Sequence, residues 1–314
     1  MTAVEIITQE LDTCSIARGT KTLSIVVASD GSDTALSAFK AATLLKRRYD
    51  ASIQVLSVLE PIPAMFPSME GAIIPSDVDR SREEAQRTIV TDQMLAFDPA
   101  SEWSLDVRRG RPAEAIVEFA TDKNADLIIV GLNRHGFVGR VLGEETAMAI
   151  ARLSSIPLLV ASPNMKRLPH RVMVAMNLRT EGLQHAPEAV AVIADTPSIS
   201  CVHVKPRSEF LGVDWAEFDN DYELAMRERF DVIEKSFNLV NLRPDLIVLH
   251  GDVTHEITDF ANYSKTELIV VGVRRRHGRV RALSGRMATR ILRLAECSVL
   301  IVPIITDAEA IDEY

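Results

Sequence analysis

Short apolar runs alternate with longer amphipathic stretches along the chain. Leu23–Ser29 (LSIVVAS) has the pattern of a buried strand, and Asp33–Arg48 then carries Leu36, Phe39, Leu44 and Leu45 at helical spacing. Ser52–Leu59, rich in β-branched residues, predicts a second strand. Pro61–Pro75, with four prolines, predicts a loop, and Asp77–Phe97 a helix. Leu105–Arg109 is strand-like, Pro112 opens a helix that runs to Lys123, and Asp126–Gly131 (DLIIVG) is a continuous apolar strand. The loop Leu132–Gly143, a helix to Leu153 and a strand Pro157–Ala161 complete the unit. Strands alternating with helices of this length predict a parallel sheet with helices on both faces.

The second half repeats the pattern. Arg171–Met176 (RVMVAM) corresponds to the first strand, Ile199–Lys205 to the second and Leu246–His250 to the third. Glu267–Gly272 (ELIVVG) and Ser298–Val302 correspond to the fourth and fifth. Shifted by 141 positions, Asp126–Pro163 aligns without gaps to Glu267–Ile304 with 12 identities in 38, among them Gly131/Gly272, Arg134/Arg275, Arg140/Arg281 and Arg152/Arg293. A period this long is not a solenoid repeat but two copies of one domain. The expected fold class is α/β: two tandem flavodoxin/Rossmann-like domains, each a five-stranded parallel sheet. The expected boundaries are an extension 1–20, domains 21–163 and 170–305, a linker 164–169 and an acidic tail 306–314.

Composition narrows the class. Of 314 residues, 47% are apolar and 25% charged, an ordinary globular balance, and the net charge of −9 opposes bulk non-specific nucleic-acid binding. Cys14, Cys201 and Cys297 are scattered, an odd count without metal-type spacing, which points to a reduced, cytoplasmic chain. No apolar run approaches the ~18 residues of a membrane helix.

In an open parallel sheet, ligands bind at the carboxyl ends of the strands. In the first half those positions are Asp30-Gly31-Ser32, Leu59-Glu60, Gly110-Arg111-Pro112 and Gly131–Gly143. Gly131, Gly136, Gly139 and Gly143 let backbone approach a ligand closely, and the helix that follows turns unpaired amides toward the loop, a combination suited to phosphate. Ser32 and Asp33 are expected to cap the first helix, and Asp252 the helix after Gly251. Trp103 and Trp215 are expected to pack. Met65, Phe66 and Met69 are expected on a flexible lid.

IVVASDGSDTA at Ile25–Ala35, GRPAEAIVEFA at Gly110–Ala120 and ADLIIVG…RHG…LGEETA at Ala125–Ala147 resemble the universal stress protein family, in its tandem two-domain form. The resemblance implies a five-stranded parallel α/β sheet, binding of ATP, ADP or AMP, and Mg only where a triphosphate is bound. It also implies pairing of the two halves within one chain, and homodimers formed through the last strands. ATP-binding members have an Asp ending the first strand and a Gly-x2-Gly-x9-Gly-Ser/Thr loop. Asp30 and Gly131 match. Arg134 stands at the second glycine, with Gly136 as a displaced substitute, and Gly143 comes one residue early, followed by Glu144-Glu145 where a hydroxyl belongs. A carboxylate ~4 Å from a phosphate charge costs on the order of 4 kcal/mol at a surface-like dielectric, roughly a thousandfold in affinity. Arg134 and Arg140 oppose that loss.

The second half departs differently. Its first strand ends in Asn177, an uncharged acceptor. Its loop Gly272–Gly285 keeps the family's end-to-end spacing, with Arg275 at the middle glycine and Arg286 at the hydroxyl position. Arg274, Arg275, Arg276, Arg279, Arg281 and Arg286 make this the most basic stretch of an acidic chain, suited to an anion. It lacks the interleaved aromatics of single-strand nucleic-acid sites. His135 and His277 lie beside arginines in the two loops, where they can contact phosphate. The expectation is a non-enzymatic cytoplasmic stress-response protein holding an adenine nucleotide through Asp30, Gly110, Gly131, Arg134, His135, Gly136, Gly143, Asn177, Gly272, Arg275, Gly285 and Arg286. The alternatives are an adenine-nucleotide α-hydrolase and an assembly protein with non-binding clefts.

Overall fold

The structure, a computed structural model, describes residues 22–61, 76–99, 102–132, 143–176, 186–205, 215–274 and 286–304. The chain divides into two compact units, Ser24–Arg167 and a second that begins at Leu168. The first contains β1 (Ser24–Ala28), a 3-10 turn (Asp33–Ala35), α1 (Leu36–Tyr49), β2 (Ser52–Leu59) and α2 (Ser76–Phe97). It continues with β3 (Ser104–Arg109), α3 (Pro112–Asp122), β4 (Leu127–Gly131), α4 (Glu144–Leu153) and β5 (Leu158–Ala161). Its strands are ordered β3-β2-β1-β4-β5, and neighbours run parallel.

The second unit contains β6 (Arg171–Met176), α5 (Ala186–Ile193), β7 (Ser198–Lys205), α6 (Trp215–Leu239), β8 (Pro244–His250), α7 (Val253–Tyr263), β9 (Leu268–Arg274), α8 (Arg286–Leu294) and β10 (Ser298–Ile304). Its order, β8-β7-β6-β9-β10, is the same, again parallel. The ten strands are those the apolar runs predict, with ends shifted by a few residues. The first helix departs more, opening as a 3-10 turn before it becomes α-helical.

The central strands form because they are apolar on both faces, as a parallel sheet covered on both sides requires. In β4 (LIIVG) every residue is buried. On α1 the buried Ala38, Phe39, Ala41, Ala42 and Leu45 form one face. The helix stops at Asp50, whose φ of 50° is left-handed while its amide donates to the Lys46 carbonyl. Thr196, the matching residue of the second unit, has φ 41°. Within the first unit α1 packs on α2, and α3 on α4. Right-handed crossovers place these pairs on opposite faces of the sheet. Trp103 packs as expected, 6.1 Å from the Phe39 ring centroid and stacked on it.

The starting edge of each sheet is fastened the same way. Asp126, just before β4, accepts from the Ser24 amide at 2.9 Å. Glu267, just before β9, accepts from the amides of His170 and Arg171 at 2.7 and 3.0 Å.

Candidate functional site

In the first unit the crossovers reverse direction between β1 and β4, so the loops after these two strands flank the switch point where such sheets bind ligands. The chain leaves β1 through a tight turn. Gly31 takes φ 73°, Asp30 Oδ1 accepts from the Ser32 amide at 3.0 Å, and Ser29 Oγ accepts from the Gly31 amide at 3.1 Å. Helix α2 holds this turn from the side. Gln93 Nε2 donates to the Gly31 and Ser32 carbonyls at 2.9 and 3.2 Å, and its Oε1 accepts from Ser29 Oγ at 3.3 Å. One helical face thus grips the turn, with Gln86 donating to Ser57 Oγ at 2.8 Å and Ile89 against Gly31. With the backbone fixed, half-buried Asp30 retains Oδ2 without a partner among the described residues.

The glycines of this edge serve different ends. A Cβ on Gly131 would fall 2.6 Å from the Thr34 carbonyl carbon and 3.1 Å from Ala35 Cα. The close approach expected of Gly131 is therefore made by the chain's own backbone, where β4 ends against the 3-10 turn. Gly110 has φ 147° and donates to the Leu59 carbonyl at 3.1 Å, with no described residue within 4 Å of a Cβ placed on it. Gly143 is the N-cap of α4, and among the described residues nothing lies within 4 Å of a Cβ placed on it. The α4 amides there suit an anion, while Glu144 and Glu145 in the same first turn oppose one.

The second unit repeats the backbone of this edge at Gly251 and changes the side chains around it. Gly251, with φ 151°, donates to the Lys205 carbonyl at 3.1 Å, as Gly110 does to Leu59. Here the space is filled: a Cβ on Gly251 would lie 3.1 Å from both Cγ and Cδ of Glu256, whose Oε1 is closer still. Ala115 stands at the matching position of α3. Val172 pairs with Ile199 and Leu268 as Ile25 pairs with Ile53 and Leu127, so His203 replaces Ser57. His203 Nδ1 donates to the Met176 carbonyl at 3.1 Å, which leaves Nε2 to accept from the Tyr222 hydroxyl. Burial lowers the His203 pKa, against a smaller upward pull from the Met176 bond, and burial raises that of Tyr222. Lys205 lies 4.9 Å over the Tyr222 ring.

Of the expected site residues, Asp30, Gly110, Gly131 and Gly143 lie along the carboxyl edge of the first sheet. Gly272 lies within β9, paired with Val302, and exposed Arg286 starts α8, whose first turn holds no acidic residue. Arg134, His135, Gly136, Asn177, Arg275 and Gly285 lie outside the described residues, as do His277 and the Met65–Met69 segment. Asp252 caps α7 as expected, accepting from the Thr254 and His255 amides at 3.1 and 3.0 Å. Ser32 does not cap. Its hydroxyl pairs with that of Thr34 at 2.7 Å instead of accepting from a helix amide, and the Ala35 amide donates to the Ser32 carbonyl. Gln86, Gln93, Glu256 and Tyr222 escape sequence reading. The signal for the two glutamines is placement on a helix beside buried Val90 and Met94, and for Glu256 beside buried Ile257.

The model of the universal stress protein family matches residues 22–162 and 169–303. A universal stress protein of Methanocaldococcus jannaschii is 30% identical over 137 residues, which cover 43% of this chain and 79% of that protein. One from Thermus aquaticus, described as lying in the 3′ region of QAH/OAS sulfhydrylase, is 32% identical over 140 residues, 44% of this chain and 97% of that one. The crystal structure of a universal stress protein from Archaeoglobus fulgidus superposes with a TM-score of 0.63 at 15% identity, covering 89% of this chain and 98% of that one. This likeness concerns the fold. Among the described residues no helix is long and apolar enough to cross a membrane, and no His, Cys, Asp and Glu cluster has the makings of a metal site.

Proposed function

The chain belongs to the universal stress protein family as two tandem copies of its domain, and from that premise we propose that it is a cytoplasmic, non-enzymatic stress-response protein that holds an adenine nucleotide at the carboxyl edge of its first unit. The observation that carries this reading is the contrast between the two edges. Among the described residues nothing fills the space beside Gly110 and nothing engages Asp30 Oδ2, whereas beside Gly251 the Glu256 carboxylate fills the same place. Asp30 accepts from the adenine amine or a ribose hydroxyl, since an ionised carboxylate is an acceptor only. The Gln93 grip sets its direction in advance, which lowers the ordering cost of binding. The phosphates run toward the α4 amides at Gly143. Glu144 and Glu145 there favour the mono- or diphosphate over the triphosphate.

Support for binding over a serine-dependent cleavage comes from the first-strand turn, where the Ser32 hydroxyl pairs with Thr34. The test is calorimetric titration of AMP, ADP and ATP into the whole chain, with pyrophosphate release measured in parallel. A hydrogen bond to a charged group contributes ~1.5–3 kcal/mol, so Asp30→Ala lowers affinity by about one to two orders of magnitude. Gln93→Leu lowers it less, and Glu256→Ala leaves it unchanged. Wild-type affinity retained in Asp30→Ala, or no binding of any of the three nucleotides, overturns the reading. Steady AMP and pyrophosphate formation instead selects the hydrolase.

A further inference from the structure

The longest helix of the second unit carries an apolar stripe that its own sheet does not use. On α6, Leu224, Val232 and Leu239 are 59%, 41% and 62% exposed, and Glu228 and Lys235 between them are exposed too. At roughly 100° per residue these five side chains fall within about 80° of the helix circumference, a single narrow face. The opposite side holds the buried Ile233 and Phe237 against the sheet. The stripe is symmetric about the point between Asp231 and Val232: Leu224 mirrors Leu239, and Glu228 mirrors Lys235.

We propose that this face of α6 docks against α6 of a second copy of the chain, the two helices antiparallel about a two-fold axis. In such an interface residue i meets j and j meets i. Leu224 of each copy then meets Leu239 of the other, Glu228 meets Lys235 twice, and the two Val232 side chains lie at the centre. A parallel arrangement sets Glu228 against Glu228 and Lys235 against Lys235, so the charges select the antiparallel one. Asp231 lies at the edge of the stripe and faces a valine rather than another acid. The exposed apolar residues of α2, Val78, Ile89 and Leu95, have no such mirror relation, because Ile89 reflects onto Glu84. The contact is distinct from pairing through the last strands. One helix face about 23 Å long and about 10 Å wide offers roughly 230 Å², well below the ~800 Å² per partner of a stable complex. The association is therefore weak and concentration-dependent.

Sedimentation velocity of the whole chain, from sub-micromolar to high-micromolar concentration, tests the proposal. The wild type gains an association step as concentration rises. Lys235→Glu, which puts two like-charge pairs in place of two ion pairs, weakens that step by about tenfold or more. The double reversal Glu228→Lys with Lys235→Glu restores it, and its restoration shows that the single variant remains folded. A wild type without concentration dependence, a step indifferent to Lys235→Glu, or a double reversal that fails to restore association each overturns the proposal.

Discussion

Replacing Gly131 by alanine tests the backbone contact that closes β4 against the first-strand turn. The added methyl is 2.6 Å from the Thr34 carbonyl carbon and 3.1 Å from Ala35 Cα. Both neighbours are backbone, so no rotamer change relieves the clash. Either the end of β4 or the 3-10 turn Asp33–Ala35 must move. Overpacking of this kind costs ~1–3 kcal/mol, and a clash with backbone belongs at or above the upper end. At ~2–4 °C per kcal/mol for a domain of this size, the melting temperature of the first unit falls by roughly 6–12 °C. Any shift of the 3-10 turn also moves Asp30, so nucleotide affinity falls with stability. Scanning calorimetry of the whole chain, with and without saturating ADP, reads both effects. Gly143→Ser is the matched control. Its Cβ meets no described residue within 4 Å, and a serine N-cap is as good as glycine or better by a few tenths of a kcal/mol. If Gly131→Ala melts within about 1 °C of the wild type, the contact is not tight and the account of this glycine is wrong.

Two further outcomes follow from side chains outside the clamp. Asp252→Ala removes the cap that satisfies two α7 amides, at a cost of about 1 kcal/mol, or ~2–4 °C in the second unit; an unchanged melting temperature refutes the cap's contribution. His203 is held neutral by burial, with a folded pKa below the unfolded value of about 6.5. Its contribution to stability is complete above that value and is lost as pH falls from there toward the folded pKa. The acid-side drop in melting temperature over that window is therefore smaller in His203→Gln than in the wild type. Equal drops in the two proteins remove His203 from the acid response.

Strand positions were legible because a parallel sheet buries both faces, which writes uninterrupted runs such as DLIIVG and ELIVVG into the chain. The duplication was legible for the same reason, since equal strand spacing and shared glycines survive a shift along the sequence. Asp30 was legible by its place directly after β1. The grip of Gln93 was not. A glutamine on an amphipathic helix looks like solvent-facing surface until tertiary packing brings two carbonyls within its reach. Glu256 was hidden likewise, because its overlap with Gly251 depends on a φ of 151° that composition does not reveal. Serine before a helix is a good cap, but here the segment opens as a 3-10 turn in which the Ser32 carbonyl takes the Ala35 amide and the Ser32 hydroxyl pairs with Thr34. Gly131 is expected to let a ligand approach, and what approaches it in the structure is the Thr34–Ala35 backbone, a neighbour set by tertiary packing that the sequence does not show.

The carboxylates at the starting edge of each sheet carry a consequence for how the two copies have diverged. Asp126 and Glu267 are both acids at matched positions, and each ties the opening amides of its unit's first strand. That tether sets which residue of the strand faces which residue next door, and it does so far from the tips. Differences at the tips, such as Ala115 against Glu256 and Ser57 against His203, leave the alignment intact. A gene that has doubled can thus rewrite the chemistry of one mouth while the other stays in service, with no loss of registration in either.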